Sequence, residues 1–361
     1  MDSKILRKIF LIITAGILLA CQAGLAEPPD AAIEFNADSI SNALAVSDEE
    51  IYLCGLKPDG SWMKKTNVRN EELSKWEFGK EADIGTQPVI QCLNTADGSI
   101  IAGLVDSHTQ KVTAAVLKDG KVQYYPLPAD SRVNLWSICA DYNGLSIISS
   151  TDSKSERTIR YSHVSADGIT ESFEAGRSAA DDVVIADSFA CATQDSVYVL
   201  RMTKIEGVVN NCNRELVAFD HEGRQQWQVM LPSDVVIKGI KTDNDSVYLY
   251  GFQRLETNNR ALLMCYGTDG DFRWTQNFDN MEQVLYMGIK DKKTWLAGQK
   301  EDFPEQWVFH CLVQDGTLVC TGSAMLPEAY NVFLGLGENH INMIENYEEK
   351  PCLWQIECPA E

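Results

Sequence analysis

The sequence predicts an all-β protein, a β-propeller of four-stranded blades, on three observations. Glycine turns recur at a period near fifty residues, each period holds short strands of alternating polarity, and no Pro-, Gly- or Ser-rich linker divides the 361-residue chain. Small sheets at a fixed spacing bury their faces only by stacking on one another, which is how blades form a ring. Seven blades are favoured, with six or eight as alternatives.

The turns come first. In ELVAFDHEGRQQWQVML, Glu215 to Leu231, apolar and polar residues alternate on both sides of Glu222 and Gly223. Period-two alternation around a glycine turn is the mark of a half-buried hairpin. ALLMCYGTDGDFRWTQNF, Ala261 to Phe278, repeats the arrangement around Asp269 and Gly270. In each hairpin a tryptophan stands four residues after the glycine: Trp227 after Gly223, and Trp274 after Gly270. Tyr124 occupies that slot after Gly120, and Cys320 occupies it after Gly316. The glycines at 120, 168, 223, 270 and 316 are 48, 55, 47 and 46 residues apart.

An earlier apolar pair completes each unit. VVIKGIKTDNDSVYLYGF, Val235 to Phe252, QVLYMGIKDKKTWLAG, Gln283 to Gly298, and NVFLGLGENHINMIE, Asn331 to Glu345, supply two strands apiece. First strands are expected near residues 43, 88, 134, 184, 235, 283 and 331. The last unit runs out after its third strand, PCLWQIECPA, and the early strand AAIEF, Ala31 to Phe35, is expected to supply the fourth and close the ring. Closure removes the free edge that such a ring otherwise leaves open. Near the start, IYLCGLKPDGSWMKK, Ile51 to Lys65, reads alternatively as a third and fourth strand, and the polar stretch Asn67 to Pro88 has no tidy strand assignment.

The N-terminus reads as a targeting segment. Lys4, Arg7 and Lys8 precede an apolar run of 12 residues, Ile9 to Ala20. That run is short for a membrane span of roughly 20 residues and suits a signal-peptide core of about 7 to 15. LLAC, Leu18 to Cys21, resembles the lipobox of bacterial lipoproteins, which implies cleavage before Cys21 and its diacylation; GLA, Gly24 to Ala26, offers simple secretion as the alternative. The expected division is a signal peptide over 1–20, a lipidated cysteine and short tether over 21–30, and a propeller over 31–361. The protein would then sit on the outer side of a bacterial cytoplasmic membrane, held in the envelope by lipid. Cleavage takes the basic and acidic counts from 31 and 52 to 28 and 51, so the formal charge moves from -21 to -23. Such acidity argues against nucleic acid as a partner, because no basic excess is available to displace counterions from phosphates.

Eleven cysteines leave ten once Cys21 is assigned to lipid. An even number outside the cytoplasm permits disulfides, yet most stand singly within apolar strands, where a thiol packs as a small hydrophobe. Cys311 and Cys320 are the best-placed pair. A two-residue turn at Asp315 and Gly316 sets 314 opposite 317 and, three steps on, 311 opposite 320, which suits a bridge; two buried thiols are the alternative.

The hairpins at Glu215 to Leu231 and Ala261 to Phe278 resemble the repeats of pyrroloquinoline-quinone-type propellers, whose blades run from a strand ending in Asp through a Gly turn to Trp. Phe219, Asp220, Gly223 and Trp227 carry the resemblance, with Gly270 and Trp274 in the next unit, where Gly267 replaces the Asp. The resemblance implies either a quinone-dependent dehydrogenase or a noncatalytic envelope lipoprotein that scaffolds outer-membrane protein assembly. The catalytic branch carries an adjacent cysteine pair or a cation-holding acidic set; this chain has no Cys-Cys dipeptide, and eight complete blades are not evident. The tryptophans are expected to pack blade against blade.

Chemical motifs are sparse. The histidines at 108, 163, 221, 310 and 340 form no metal-binding pattern, and His310 and Cys311 are strand neighbours that face opposite sides. No metal and no cofactor is predicted. Ser, His and Asp residues distant in sequence have room to meet across blades, but no Gly-x-Ser-x-Gly elbow is present. Basic residues recur where the second-to-third strand loop enters the third strand, at Lys111, Arg157, Arg214 and Arg260, on the rim from which ligands are expected to reach a central funnel. The loops Thr203 to Asn213 and Gln299 to Trp307 are the preferred recognition loops, the latter through Phe303 and Trp307. The leading expectation is a lipid-anchored propeller that binds an envelope protein or glycan without catalysis. An extracytoplasmic hydrolase, lyase or quinone-dependent oxidoreductase is the alternative enzyme reading, and the oligomeric state is not specified by the sequence.

Overall fold

The computed structural model describes residues 33–35, 40–47, 49–79, 87–127, 133–152, 156–179, 189–204, 212–290, 292–300, 303–325, 330–336, 340–347 and 350–357. Cys21, the signal segment and the tether lie outside these residues. The described strands form a β-propeller of four-stranded antiparallel sheets, seven in all. Their first strands are Ile40–Ser47, Pro88–Ala96, Val133–Ala140, Phe189–Ala192, Val235–Thr242, Gln283–Lys290 and Tyr330–Leu336. Each of these touches the first strand of the sheet before and after it, and the contact between Ile40–Ser47 and Tyr330–Leu336 completes the circle. The first strands therefore line the axis. In six sheets the first strand carries a register shift, such as those at Ile90/Cys92 and Ile237/Gly239. A bulge adds twist where the strands crowd together.

In the second sheet burial is greatest in the two middle strands. The second strand Ser99–Asp106 is buried throughout, whereas the fourth strand Lys121–Pro126 shows its alternate residues to solvent. Seven clusters of buried side chains lie one at each interface between neighbouring sheets. Tyr198, Leu216, Ile237 and Leu249, for example, join the fourth sheet to the fifth. A large side chain buried in this way contributes about 1.5–3 kcal/mol, so the sheets are held by these interfaces and not by strand pairing alone.

The ring closes through the N-terminus. Ile33–Glu34 pairs with Lys350–Glu357, setting Ile33 opposite Leu353, and the Phe35 amide donates to Pro351 O at 2.8 Å. The Phe35 ring is buried where the seventh sheet meets the first.

The first sheet corrects the reading of the N-terminal region. Glu50–Lys57 and Gly60–Thr66 are its second and third strands, and Glu72–Phe78 is its fourth. The polar stretch hid a strand because an outermost strand faces solvent: five of the seven residues from Glu72 to Phe78 are exposed. The tight Lys57-Pro58-Asp59-Gly60 turn thus joins the second strand to the third, and the longer connection precedes the fourth.

Two hairpins differ in detail from the sequence expectation. Asp119 and Gly120, at φ 51° and 73°, form a two-residue turn with Lys118 opposite Lys121 and no bulge. The Asp220 to Arg224 turn is longer, and a register shift follows it. That difference inverts which face each later residue takes. Tyr125, and not Tyr124, reaches the next sheet, where it packs on Gly168; Tyr124 packs back toward the first sheet. At Cys311 and Cys320 two departures cancel. The turn spans Val313 to Thr317, so Leu312 faces Leu318, but a shift at the next step restores Cys311 opposite Cys320.

Candidate functional site: the strand-end cavity

The first strands present one residue each at a common register. Tyr52, Ile101, Ser146, Tyr198, Tyr248, Trp295 and Asn342 stand at matching places on the second strands, and their partners are Leu44, Asn94, Cys139, Cys191, Lys241, Gly288 and Gly335. Six of these seven partners, all but Cys139, line a cavity of about 440 Å³ at the end of the axis where first strands turn into second strands. Tyr142, Lys290 and Trp295 complete its polar and aromatic wall, while Leu44, Val46, Met287 and Ile289 are among its apolar residues.

Lys241 crosses this space. It arises from the fifth sheet, yet its Nζ donates to Ala140 O of the third sheet at 3.0 Å. The fourth sheet, between those two, contributes Cys191. Burial pushes the thiols beside Lys241 up, Cys92 to about 12 and Cys139 and Cys191 also upward, so they stay neutral and give the lysine no anionic partner.

One carboxylate lines the described cavity, and the turn occupies it. Asp141 Oδ1 accepts from Gly144 N at 3.0 Å and meets His163 Nε2 at 3.2 Å, while Oδ2 accepts from the Ser146 hydroxyl. Tyr142 stacks on His163 with ring centroids 6.2 Å apart, and burial followed by the neighbouring Asp141 charge raises its phenol. Serine, aspartate and histidine do meet here, within one sheet. The carboxylate stands between the other two, however, so the histidine does not hold the serine proton as a nucleophile relay requires. Asp243 serves the same part in the fifth sheet, accepting from Asp245 N at 2.9 Å, Ser246 N at 2.7 Å and the Tyr248 hydroxyl at 2.9 Å. Asp141 is thus a turn cap, as Asp243 is in the fifth sheet.

The cation positions expected to form a ligand rim sit at the other end of the axis. Lys111 precedes the third strand Val112–Lys118, whose Val112 pairs with Val105 near the start of Pro88–Ala96. Lys111 is exposed and Arg157 half-buried. Arg214 is buried and donates to Ser233 O at 3.2 Å. Arg260 donates to Gln253 Oε1 at 2.9 Å and lies 3.6 Å from Asp279. Arg214 and Arg260 are thus engaged with their own loops, and neither forms an open cationic face.

The aromatic recognition loop also needs correction. The third strand Phe303–Val313 already includes Trp307, which is 2% exposed and packs near Tyr286 at 6.1 Å between the sixth and seventh sheets. A strand continues where the sequence suggested a loop, and Trp307 belongs to the core. The Phe303 side chain and the centre of the Thr203 to Asn213 connection lie outside the described residues. Among the described residues no group of three His, Cys, Asp or Glu side chains is arranged to hold a metal ion, and no helix is long and apolar enough to cross a membrane.

Asp220, Gly223 and Trp227 are structural neighbours of the turn. Asp220 Oδ1 accepts from the Glu222 and Arg224 amides at 3.0 and 2.8 Å, and Gly223 has φ 81°. In the next hairpin, where Gly267 replaces the aspartate, Asp269 Oδ1 accepts from Asp271 N at 3.1 Å. Sequence reasoning missed Lys241, Lys290, Tyr142 and Trp295. Their signal was a register: a lysine at the place where other units carry Leu44, Asn94, Cys139 or Cys191.

No family model matches the sequence, and no curated protein matches it. Solved structures do resemble the fold. The β-propeller domain of the Trilobed protease from Pyrococcus furiosus aligns over 90% of this chain and 97% of its own, at 11% identity and a TM-score of 0.57. The Nup133 β-propeller domain of Vanderwaltozyma polyspora aligns over 89% and 96%, at 7% identity and a TM-score of 0.51. The polysaccharide lyase Uly1 aligns over 92% and 94%, at 7% identity and a TM-score of 0.52. These relatives, a protease domain, a Nup133 domain and a lyase, share an architecture and no common activity; what this chain has in common with them is the β-propeller fold.

Proposed function

We propose that the chain is an exported, lipid-anchored propeller of seven blades that binds a protein or glycan without catalysis, with the strand-end cavity as its recognition site. The observation that carries this reading is the saturation of Asp141. Its contacts with Gly144, Ser146 and His163 commit it to the turn, and Lys241 is left reaching across an otherwise largely apolar space. A concave site with an apolar wall and a few placed polar groups suits recognition. The basic start, the 12-residue apolar run and Cys21 support export and anchoring. The resemblance of Phe219, Asp220, Gly223 and Trp227 to pyrroloquinoline-quinone-type repeats fits the branch of that group that scaffolds envelope assembly.

The test is fractionation of cells producing the natural chain or Cys21→Ser, with intact mass of each product. Anchoring requires a diacyl mass on the natural chain, its recovery in the membrane fraction, and release of the variant. A natural chain of unmodified mass in the soluble fraction would end the reading. The binding half fails if a bulky change at the cavity wall, Thr242→Trp, leaves the phenotype of a deletion strain fully complemented.

A further inference from the structure

We infer that the strand-end cavity receives the C-terminal carboxylate of a peptide whose last residue is apolar, with Lys241 as its anchor. The inference deepens the binding reading above and rests on it for the cavity being a recognition site.

Charge is the first argument. The chain carries a formal charge of -21, yet Lys241 stands on the described cavity wall with a single carboxylate beside it. That carboxylate, Asp141, is turned into its own turn and shared with Ser146 and His163. The partner of Lys241 is a neutral carbonyl, Ala140 O at 3.0 Å. An ammonium has three protons to donate, so this contact fixes the side chain across the axis without cancelling its charge. A carboxylate arriving there gains charge-assisted hydrogen bonds of a strength that a neutral group does not match.

Shape and polarity supply the second argument. A cavity of 440 Å³ lies toward the small end of ligand pockets, which run from about 300 to 1,000 Å³. It suits one or two residues of a chain end and excludes a folded domain. Leu44, Val46, Met287 and Ile289 on the wall offer little to the hydroxyls of a uronic acid, whose burial without partners is costly. They suit an aliphatic or aromatic side chain. Tyr142, exposed at the entrance, remains for an amide group that precedes the terminus, whereas the Asn94 amide is held by Asp141 O and Gly144 O. Capture of a terminal carboxylate is a recurrent mode of peptide recognition.

The experiment is calorimetric titration of the full chain with acetyl-Ser-Leu-Leu bearing a free carboxylate, with the same peptide as its C-terminal amide, and with a trimer of galacturonate. The free acid is expected to bind saturably and the amide at least about 10-fold more weakly. Lys241→Met should weaken acid binding by about 10-fold or more. Lys111→Met, at the opposite end of the axis, should leave it unchanged. Raising salt on the unaltered chain provides a check that needs no variant: affinity for the acid must fall while affinity for the amide holds. Equal affinity for acid and amide would overturn the carboxylate and leave the cavity as an apolar binding site. Tighter binding of the galacturonate trimer would overturn the peptide in favour of a glycan. If none of the three binds while the Cys21 fractionation succeeds, the inference falls and the anchored propeller stands.

Discussion

Trp227 and Gly270 lock the fourth sheet to the fifth. The indole N–H of Trp227 donates to Thr268 O at 2.9 Å, and its ring lies so close to Gly270 that a Cβ added there would stand 2.8 Å from Trp227 Cδ2. Gly270 has φ 91°, which also disfavours any other residue. The relationship repeats one sheet on, where Trp274 donates to Gln314 O at 3.2 Å and packs against Gly316. Phe173 stands against Gly223 and Tyr125 against Gly168 in the same way. The glycines at 168, 223, 270 and 316 are therefore seats for the preceding sheet's aromatic ring, whereas Gly120 meets no such ring. Cys320 takes the slot in the sixth sheet because the seventh has no such turn: its fourth strand comes from the N-terminus.

Substitution at this lock should cost stability without touching the cavity. Trp227 is half-buried, so Trp227→Ala is expected to lose about 2–4 kcal/mol, and Gly270→Ala about 1–3 kcal/mol through backbone strain and overpacking. The double variant should lose less than the sum, since removal of the ring relieves the clash. Urea midpoints of the four proteins measure this, and strict additivity would refute the seat.

Closure by the N-terminal strand sets a second expectation. Deletion of residues 31–36 removes the partner of Lys350–Glu357 and the buried Phe35. It should expose a strand edge and promote self-association. Phe35→Ala keeps the backbone pairing and should cost about 3–5 kcal/mol. Light scattering on the deletion and thermal melts on the point variant report the two effects separately; a monodisperse deletion with unchanged melting would show the closure to be dispensable.

How far the sequence reveals this architecture follows from what a period can encode. The glycines at 168, 223, 270 and 316 are visible because each turn needs a positive φ and each seats a ring, so spacing and residue type agree. The fourth strand Glu72–Phe78 is invisible for the converse reason, its exposed outer position imposing no apolar alternation. Spacing points to Tyr124 where the structure uses Tyr125, because a single bulge residue, present after Gly223 and absent after Gly120, inverts the faces. The cavity was illegible in a different sense. Lys241 lies in a strand with the look of any flanking lysine, and only closure of the ring carries its ammonium to Ala140, on a sheet some hundred positions earlier in sequence.

Cys311 and Cys320 offer a chemical check on register. They stand opposite one another on Phe303–Val313 and Leu318–Met325, as free thiols in this structure. In an oxidising compartment the pair should bridge, and peptide mapping without reductant should recover the two segments as one species. Cys320→Ser should abolish that species and leave the fold intact. Recovery of both cysteines as alkylated thiols from oxidised material would rule the bridge out.

His310 gives the fold a pH dependence whose sign is fixed by its surroundings. It is 3% exposed, stacks on Phe278 with centroids 4.6 Å apart, and meets Thr321 Oγ1 at 2.8 Å and Asn280 Oδ1 at 3.0 Å. These neighbours are neutral, and burial lowers its pKa from 6.5 to about 4. Between those values the unfolded chain binds a proton that the folded chain refuses, so stability falls as pH drops from 6.5 toward 4 and this contribution is flat below it. The full loss is of order 3 kcal/mol. His310→Gln removes the titration at a cost in packing at neutral pH, so its urea midpoint should start lower at pH 7 and decline less steeply between pH 6.5 and 4. The lowered carboxyls of Glu50, Glu174, Asp220 and Asp315 contribute stability that is lost as pH falls through their own folded pKa values, and they do so equally in both proteins. The difference between the two profiles thus isolates His310, and parallel profiles would show that it titrates normally in the folded chain.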